Sequence, residues 1–273
     1  MKISELFNVT GLATIVTGGA SGIGYAYAEA MANNGARVAI LDIDSAALDA
    51  ASAKLRATGA DIRSIALDVT DRAALRAAFD ETASVFGGLD VVFVNAGIDS
   101  PPGFLSMTGE RSLDGAFENI SDERWDKVIA TNFTSVFTSI RAAVPHMKRR
   151  PQGGRIIVTT SVGALRSEAI IGTPYMPAKA GSAHLVRQAA LELAKFNILV
   201  NSIAPGPFVT NIGGGHMRDP RTAEAFARVV PLGRVATVAE IQGAALFLAS
   251  PASKYVTGAQ ILVDGGVMLG CAD

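Results

Sequence analysis

Short apolar runs, recurring between longer amphipathic segments, constrain this chain more than any other feature. LATIVT, RVAIL, IRSIAL, LDVVFV, RIIVTT, NILVNSI and AQILV are mostly nearly continuous in apolar character. That is the pattern of strands covered by helices on both faces, whereas strands with one wet face alternate apolar and polar residues. The segments between them, such as GIGYAYAEAMANNG and SAALDAASAKLRATG, have the length of crossover helices and end in Gly or Asn-Gly, residues that stop a helix. The alternation predicts an α/β protein built of βαβ units. A length of 273 residues suffices for one large core, and no repeat, low-complexity tract or linker divides the chain.

Two excursions break the rhythm, Asp99 to Ser121 and Pro205 to Arg234. Each follows a strand expected to end on the binding side of the sheet, where ligand-contacting loops lie. A formal charge of -1 with scattered charged residues gives no footprint for nucleic acid. The single cysteine, Cys271, cannot form an internal disulfide, which fits a reducing, cytoplasmic compartment. The opening MKISELFNVTGLATIVTGG has only Lys2 as a basic head and does not read as a signal peptide, and no apolar run reaches the roughly 18 residues of a membrane span. His146, His184 and His216 lack metal-ligand spacing, so no metal is expected; His216, beside Met217, is a candidate substrate contact.

Gly18, Gly22 and Gly24 mark a turn from the first strand into the first crossover helix. Without side chains there, the backbone approaches a pyrophosphate whose charge the helix N-terminus favours. The spacing is GxxxGxG, and a glycine turn alone serves plain turn geometry equally well. Asp42, closing the next strand, strengthens the dinucleotide reading. Its carboxylate suits the ribose hydroxyls of NAD and repels the extra phosphate of NADP, and no Lys or Arg adjoins it. Arg37 belongs to the far end of that strand. Tyr175 and Lys179 share a helical face, where an ammonium stabilises a phenolate and so prepares the tyrosine for proton transfer. Ser161 follows a buried-looking strand and could hold a reacting oxygen. Asn132, in a helix-like segment, carries an amide that needs a partner and could order a water, and Asn95 could pin backbone near the cofactor.

These motifs together resemble the short-chain dehydrogenase/reductase family over nearly the whole chain: TGGASGIG at Thr17 to Gly24, Asp68 and Val69, NAG at Asn95 to Gly97, Asn132, Ser161, YMPAK at Tyr175 to Lys179, and PGPFVT at Pro205 to Thr210. The resemblance implies a Rossmann-like, doubly wound, seven-stranded parallel sheet with helices on both faces, and residues 1–273 as one dinucleotide-binding and catalytic domain with a substrate lid at 205–234. It implies a catalytic tetrad of Asn132, Ser161, Tyr175 and Lys179. The NAD contacts it implies are Gly18, Ser21, Gly22, Ile23, Gly24, Asp42, Asp68, Val69, Asn95, Ala96, Gly97, Tyr175, Lys179, Pro205, Gly206, Phe208 and Thr210. The expected reaction interconverts a secondary alcohol and a ketone, with Tyr175 as general acid/base. NADPH-linked reduction of a carbonyl or acyl thioester, and a non-catalytic dinucleotide-binding regulator, are the alternatives.

Two departures from the family pattern stand out. Ser161 lies one residue farther from Tyr175 than is usual, which makes Thr160 its competitor. GFLSMTGERSLDG, residues 103–115, lengthens the connection from the NAG turn to Asn132. Phe104, Met107, Ile170, Ile171, Phe208, Met217 and Phe226 are candidate apolar pocket residues, with a cyclic, aromatic or steroid-like alcohol or a polyol as substrate. Family resemblance also implies a homotetramer. Trp125 is expected to pack inward, Ser121 to cap its helix, and Arg149 and Arg150 to form a basic helix end needing no partner.

Overall fold

The computed structural model describes residues 2–106, 108–210, 215 and 217–270. Met107, His216 and Cys271, all singled out above, lie outside the described residues. After a short helix α1 (Ile3–Leu6), the apolar runs become seven strands: β1 (Ala13–Thr17), β2 (Arg37–Asp42), β3 (Ile62–Ala66), β4 (Val91–Val94), β5 (Gly154–Thr159), β6 (Ile198–Pro205) and β7 (Gln260–Val263). All pair in parallel in the order β3-β2-β1-β4-β5-β6-β7. The order reverses between β1 and β4, and a crevice opens beyond the C-terminal ends of strands at such a switch point.

Helices cover both faces, as the unbroken apolar strands require. On one side lie α4 (Arg72–Phe86), α6 (Ser135–Met147) and α7 (Tyr175–Leu193), whose Phe79, Ile140 and Val186 pack with Ile15, Val92 and Ile156. On the other lie α2 (Gly22–Asn33), α3 (Ser45–Arg56) and α8 (Gln242–Ala249), whose Met31, Leu48 and Leu248 pack with Val16, Ile40 and Phe93. Side chains set the helix starts: Asp44 accepts from the Ala47 amide at 3.0 Å, and Asp71 from the Ala73 and Ala74 amides at 2.9 and 3.0 Å. The edge strand β7 departs from the expected two-sided burial, since Leu262 is exposed.

The long segment before β5 does not run as one regular helix. It starts as α5 (Asp122–Ile129), capped by Ser121, which accepts from the Arg124 amide at 3.2 Å. It then widens into a π turn over Ala130–Thr134 before continuing as α6. Such turns often occur at functional sites, and this one carries Asn132. Trp125 does not pack inward: it is 39% exposed, because within short α5 only Val128 reaches the core. Arg150 also has a partner after all. Its Nε donates to buried Asp90 at 2.8 Å and its Nη1 to the Gly87 carbonyl at 3.1 Å, so the group neutralises a carboxylate under the sheet.

Candidate active site

A cleft of about 780 Å³ lies at the switch point, within the size range of small-molecule sites. Its first wall is backbone. Gly18 has φ of 64°, and a Cβ there would lie 2.9 Å from the Ala96 Cα, so the β1 turn and the turn after β4 touch. At Gly24 a Cβ would strike the Gly18 carbonyl and the Asn95 amide. Asn95 fastens the two turns together, donating to the Thr17 and Gly18 carbonyls at 3.2 Å each. No side-chain bond from Ser21 caps α2, and Ser21, Gly22 and Ile23 line the cleft, so the helix N-terminus lies at the cleft with amides available to an anion.

At one end of the cleft stands Asp42, half-buried, accepting from the Ala20 amide at 3.0 Å and the Asp44 amide at 3.1 Å. Asp68 and Val69 line the same end. The cations lining the cleft, among the described residues, are Lys127 on α5 and Lys179 on α7. Asp42 has no ion-pair partner among the described residues, an acidic setting that suits ribose hydroxyls.

At the other end, Ser161, Tyr175 and Lys179 share one wall. The Ser161 hydroxyl accepts from the Gly163 amide at 3.0 Å and bonds the Tyr175 phenol. Thr160 is committed to the sheet: its hydroxyl donates to the Ile203 carbonyl at 3.1 Å and accepts from Gln260 Nε2 at 2.9 Å. Lys179 is buried, its Nζ donating to the Thr159 carbonyl at 2.9 Å and lying 5.7 Å from the Tyr175 ring centre.

The electrostatics differ from the expectation that the lysine lowers the tyrosine's pKa. Burial pushes Tyr175 up to about 12, with the Ser161 hydrogen bond opposing and the nearby Asp99 charge adding to the rise. Burial likewise brings Lys179 down to about 8. Loss of hydration outweighs mutual charge at this wall, because both groups titrate in the same dry corner.

Asn132 stands behind the cleft, fully buried in the π turn. Its amide is not left for water. Oδ1 accepts from the Ile98 amide and Nδ2 donates to the Ile98 carbonyl, each at 2.8 Å, so the side chain pins the segment following Gly97. Its own carbonyl accepts from Ser182 at 2.9 Å.

Ser21, Gly22, Ile23, Ala96, Gly97, Pro205, Gly206, Phe208 and Thr210 also line the cleft, so of the site residues named from the sequence only Gly24 and Asn132 lie behind it. Of the seven apolar candidates, Phe208 lines the cleft. Phe104 stacks against Arg111 instead, and the 103–115 segment packs on residues 169–170 through the Leu105 amide, which donates to the Ala169 carbonyl at 3.0 Å.

Three participants were not singled out from the sequence. Thr159 supplies the carbonyl for Lys179, and its hydroxyl donates to Asn95 Oδ1 at 3.0 Å, linking the two ends of the cleft. Asp99 and Thr131 also line it. In the sequence Asp99 is marked by nothing beyond its place two residues after the NAG turn, and Thr131 by nothing beyond its place beside Asn132. Elsewhere, His146 contacts Asp80 at 2.7 Å, and the described residues contain no group of three His, Cys, Asp or Glu that could hold a metal.

The sequence model described as enoyl-(acyl carrier protein) reductase matches residues 18–268. The chain is 38% identical to cis-4-hydroxycyclohexanecarboxylate dehydrogenase of Sinomonas cyclohexanicum over 92% of its length and 94% of the relative's. It is 33% identical to 2,5-dichloro-2,5-cyclohexadiene-1,4-diol dehydrogenase of Sphingobium indicum, covering 96% of this chain and 98% of that one. The crystal structure of a short-chain type dehydrogenase/reductase from Mycobacterium marinum superposes with a TM-score of 0.87 at 32% identity, over 97% of this chain and 99% of that one.

Proposed function

Because the chain belongs to the short-chain dehydrogenase/reductase family, a family of NAD(P)-dependent oxidoreductases acting on small alcohols and carbonyls, we propose that it is an NAD-linked dehydrogenase of cyclic secondary alcohols. The observation that carries this reading is the cleft itself: Asp42 stands at one end, and Ser161, Tyr175 and Lys179 share a wall at the other. Two relatives named for cyclic alcohols support the substrate class. Asp42 favours NAD, since a 2'-phosphate there would meet a carboxylate that has no ion-pair partner among the described residues.

The residues present fit a dinucleotide. The uncapped α2 N-terminus suits the pyrophosphate, Asp42 the adenosine ribose, and the remaining Lys179 donors the second ribose. When bound, the nicotinamide takes or gives the hydride. Ser161 holds the reacting oxygen by a hydrogen bond. Tyr175 moves the proton: held as a phenol at neutral pH, it is set to donate in ketone reduction and must lose its proton before alcohol oxidation. Lys179, with its Nζ 5.7 Å from the Tyr175 ring centre, supplies the charge that favours this loss. Asn132 positions the Ile98 backbone rather than taking part directly.

Segment 205–234 would close over the substrate, with Phe208 already against the cleft. We take the protein to act in the cytoplasm as a homotetramer, an assembly that would cover exposed Phe137 on α6, Leu191 on α7 and Leu262 on β7. No described helix is long and apolar enough to cross a membrane. NADPH-linked reduction of an acyl thioester ranks below this reading, because the Asp42 carboxylate at the cofactor end would oppose a 2'-phosphate. The test is a screen for NAD reduction over cyclic alcohols, steroids and polyols, repeated with NADP. Turnover of cyclic alcohols with NAD is expected; turnover restricted to NADPH and thioesters would overturn the reading.

A further inference from the structure

The substrate end of the cleft holds a carboxylate that the proton and hydride steps do not use. Asp99 lines the cleft together with Ser161 and Tyr175. It is half-buried, and its Oδ1 accepts from the Ser100 amide at 2.6 Å. No ion pair among the described residues neutralises it.

Its place is fixed from both sides. One residue earlier, both peptide groups of Ile98 are held by Asn132. One residue later, Arg124 grips the chain: its Nε donates to the Ser100 hydroxyl at 3.2 Å and its Nη2 to the Ser100 and Pro102 carbonyls, the latter at 2.6 Å. The Arg124 Nη1 also donates to the Asp114 carbonyl at 3.2 Å, tying the 103–115 insertion to the same clamp. Asp99 is therefore a preset acceptor in the cleft, held without a counter-charge.

Such a group has a cost. Its charge helps to raise the tyrosine's pKa, which hinders proton abstraction from an alcohol. A substrate donor bonded to the carboxylate would offset that cost, and a substrate anion would worsen it.

We propose that Asp99 is a specificity-determining residue that accepts a hydrogen bond from a second hydroxyl of a cyclic diol and rejects substrates with a carboxylate beside the reacting carbon. Arg124 is the positioning residue that holds it there. This rests on the dehydrogenase reading above and narrows its substrate class.

The experiment measures kcat and KM with NAD for cyclohexanol, cis-1,2-cyclohexanediol and 2-hydroxycyclohexanecarboxylate, in the parent protein, Asp99→Asn, Asp99→Ala and Arg124→Ala. The parent should favour the diol over cyclohexanol in kcat/KM by about tenfold or more, the scale of one hydrogen bond to a charged group. In Asp99→Asn and Asp99→Ala that ratio should fall several-fold, mainly through KM for the diol, while the hydroxy acid gains relative to the diol. Arg124→Ala should lower the diol ratio in the same direction; a purely structural role would depress all three alcohols alike. A parent ratio near one, or a ratio unchanged by both Asp99 substitutions, overturns the proposal while leaving the dehydrogenase reading standing. No NADH from any alcohol, although NAD binds, overturns the dehydrogenase reading and this proposal with it.

Discussion

The two ends of the cleft are held by different means. At the cofactor end backbone touches backbone: the Gly18 and Gly19 amides donate to the Leu41 carbonyl at 2.7 and 3.2 Å, and Gly24 lies against the Gly18 carbonyl. The residue types there follow from contacts too close for any side chain. At the substrate end, the segment from Ile98 to Pro102 hangs on two side chains from the following helical segment, Asn132 and Arg124. The first arrangement sets the shape that any dinucleotide meets. The second is adjustable, since one changed side chain moves a loop without disturbing the sheet, and that is where substrate choice is free to vary.

The sharpest separation of the two ends comes from Tyr175→Phe. The change removes the proton that the reaction needs and leaves the backbone contacts of the cofactor end untouched. A fall in kcat of roughly 10²–10⁴-fold is expected, with NADH binding, followed by its fluorescence, unchanged. A kcat near that of the parent would remove Tyr175 from the chemistry, and lost NADH binding would show that the two ends are not independent.

Ser161→Ala should cost about 10²-fold in kcat, as for other donors to a reacting oxygen. Thr160→Ala should instead lower the melting temperature with little change in kcat, because its hydroxyl serves Ile203 and Gln260 in the sheet. The reverse pattern would exchange their roles.

At the cofactor end, Asp42→Ala should narrow the NAD preference in kcat/KM by about tenfold, weakening NAD and relieving repulsion of NADP. The Tyr175-dependent step should be unaffected, so kcat with saturating NAD is the control. An unchanged ratio of kcat/KM for the two cofactors would place the selector elsewhere.

The contrast between the ends also explains what could be read from the sequence. The seven strands, the glycine turn and Asp42 are local features: apolar runs become strands by burial on both faces, and a glycine is retained where a neighbour leaves no room. The pairing of Tyr175 with Lys179 is legible because one helix carries both. Asp99, by contrast, becomes conspicuous only when Arg124 and Asn132, both distant in sequence, fix its loop. The partner of Arg150 was hidden for the same reason, since Asp90 sits on a different part of the chain. Spacing gave no sign of the π turn at Ala130–Thr134 either, because the helical periodicity runs on through it. The raised Tyr175 and lowered Lys179 depend on how dry their corner is, which sequence spacing does not report.

Lys179 offers the finest test, because it stands where the two ends meet and its charge is stored at a loss. Burial lowers it from 10.5 to about 8, so between those pH values the unfolded chain binds a proton that the folded chain does not. Stability should therefore rise as pH rises through that window. Below it both states are charged, and the full penalty, on the order of 3 kcal/mol, remains. Lys179→Met removes the charge, fills a similar volume and gives up the bond to the Thr159 carbonyl, which returns about 1 kcal/mol or more of the gain. The net expectation at pH 7, without cofactor, is a variant with little activity but a melting temperature a few degrees above the parent's. By pH 10 most of that advantage should be gone, since the parent has by then shed its buried proton. Calorimetry of both proteins at the two pH values decides it. A variant less stable at pH 7, or a difference independent of pH, would mean that the surrounding carbonyls and hydroxyls already satisfy the ammonium and that the corner is wetter than its burial suggests.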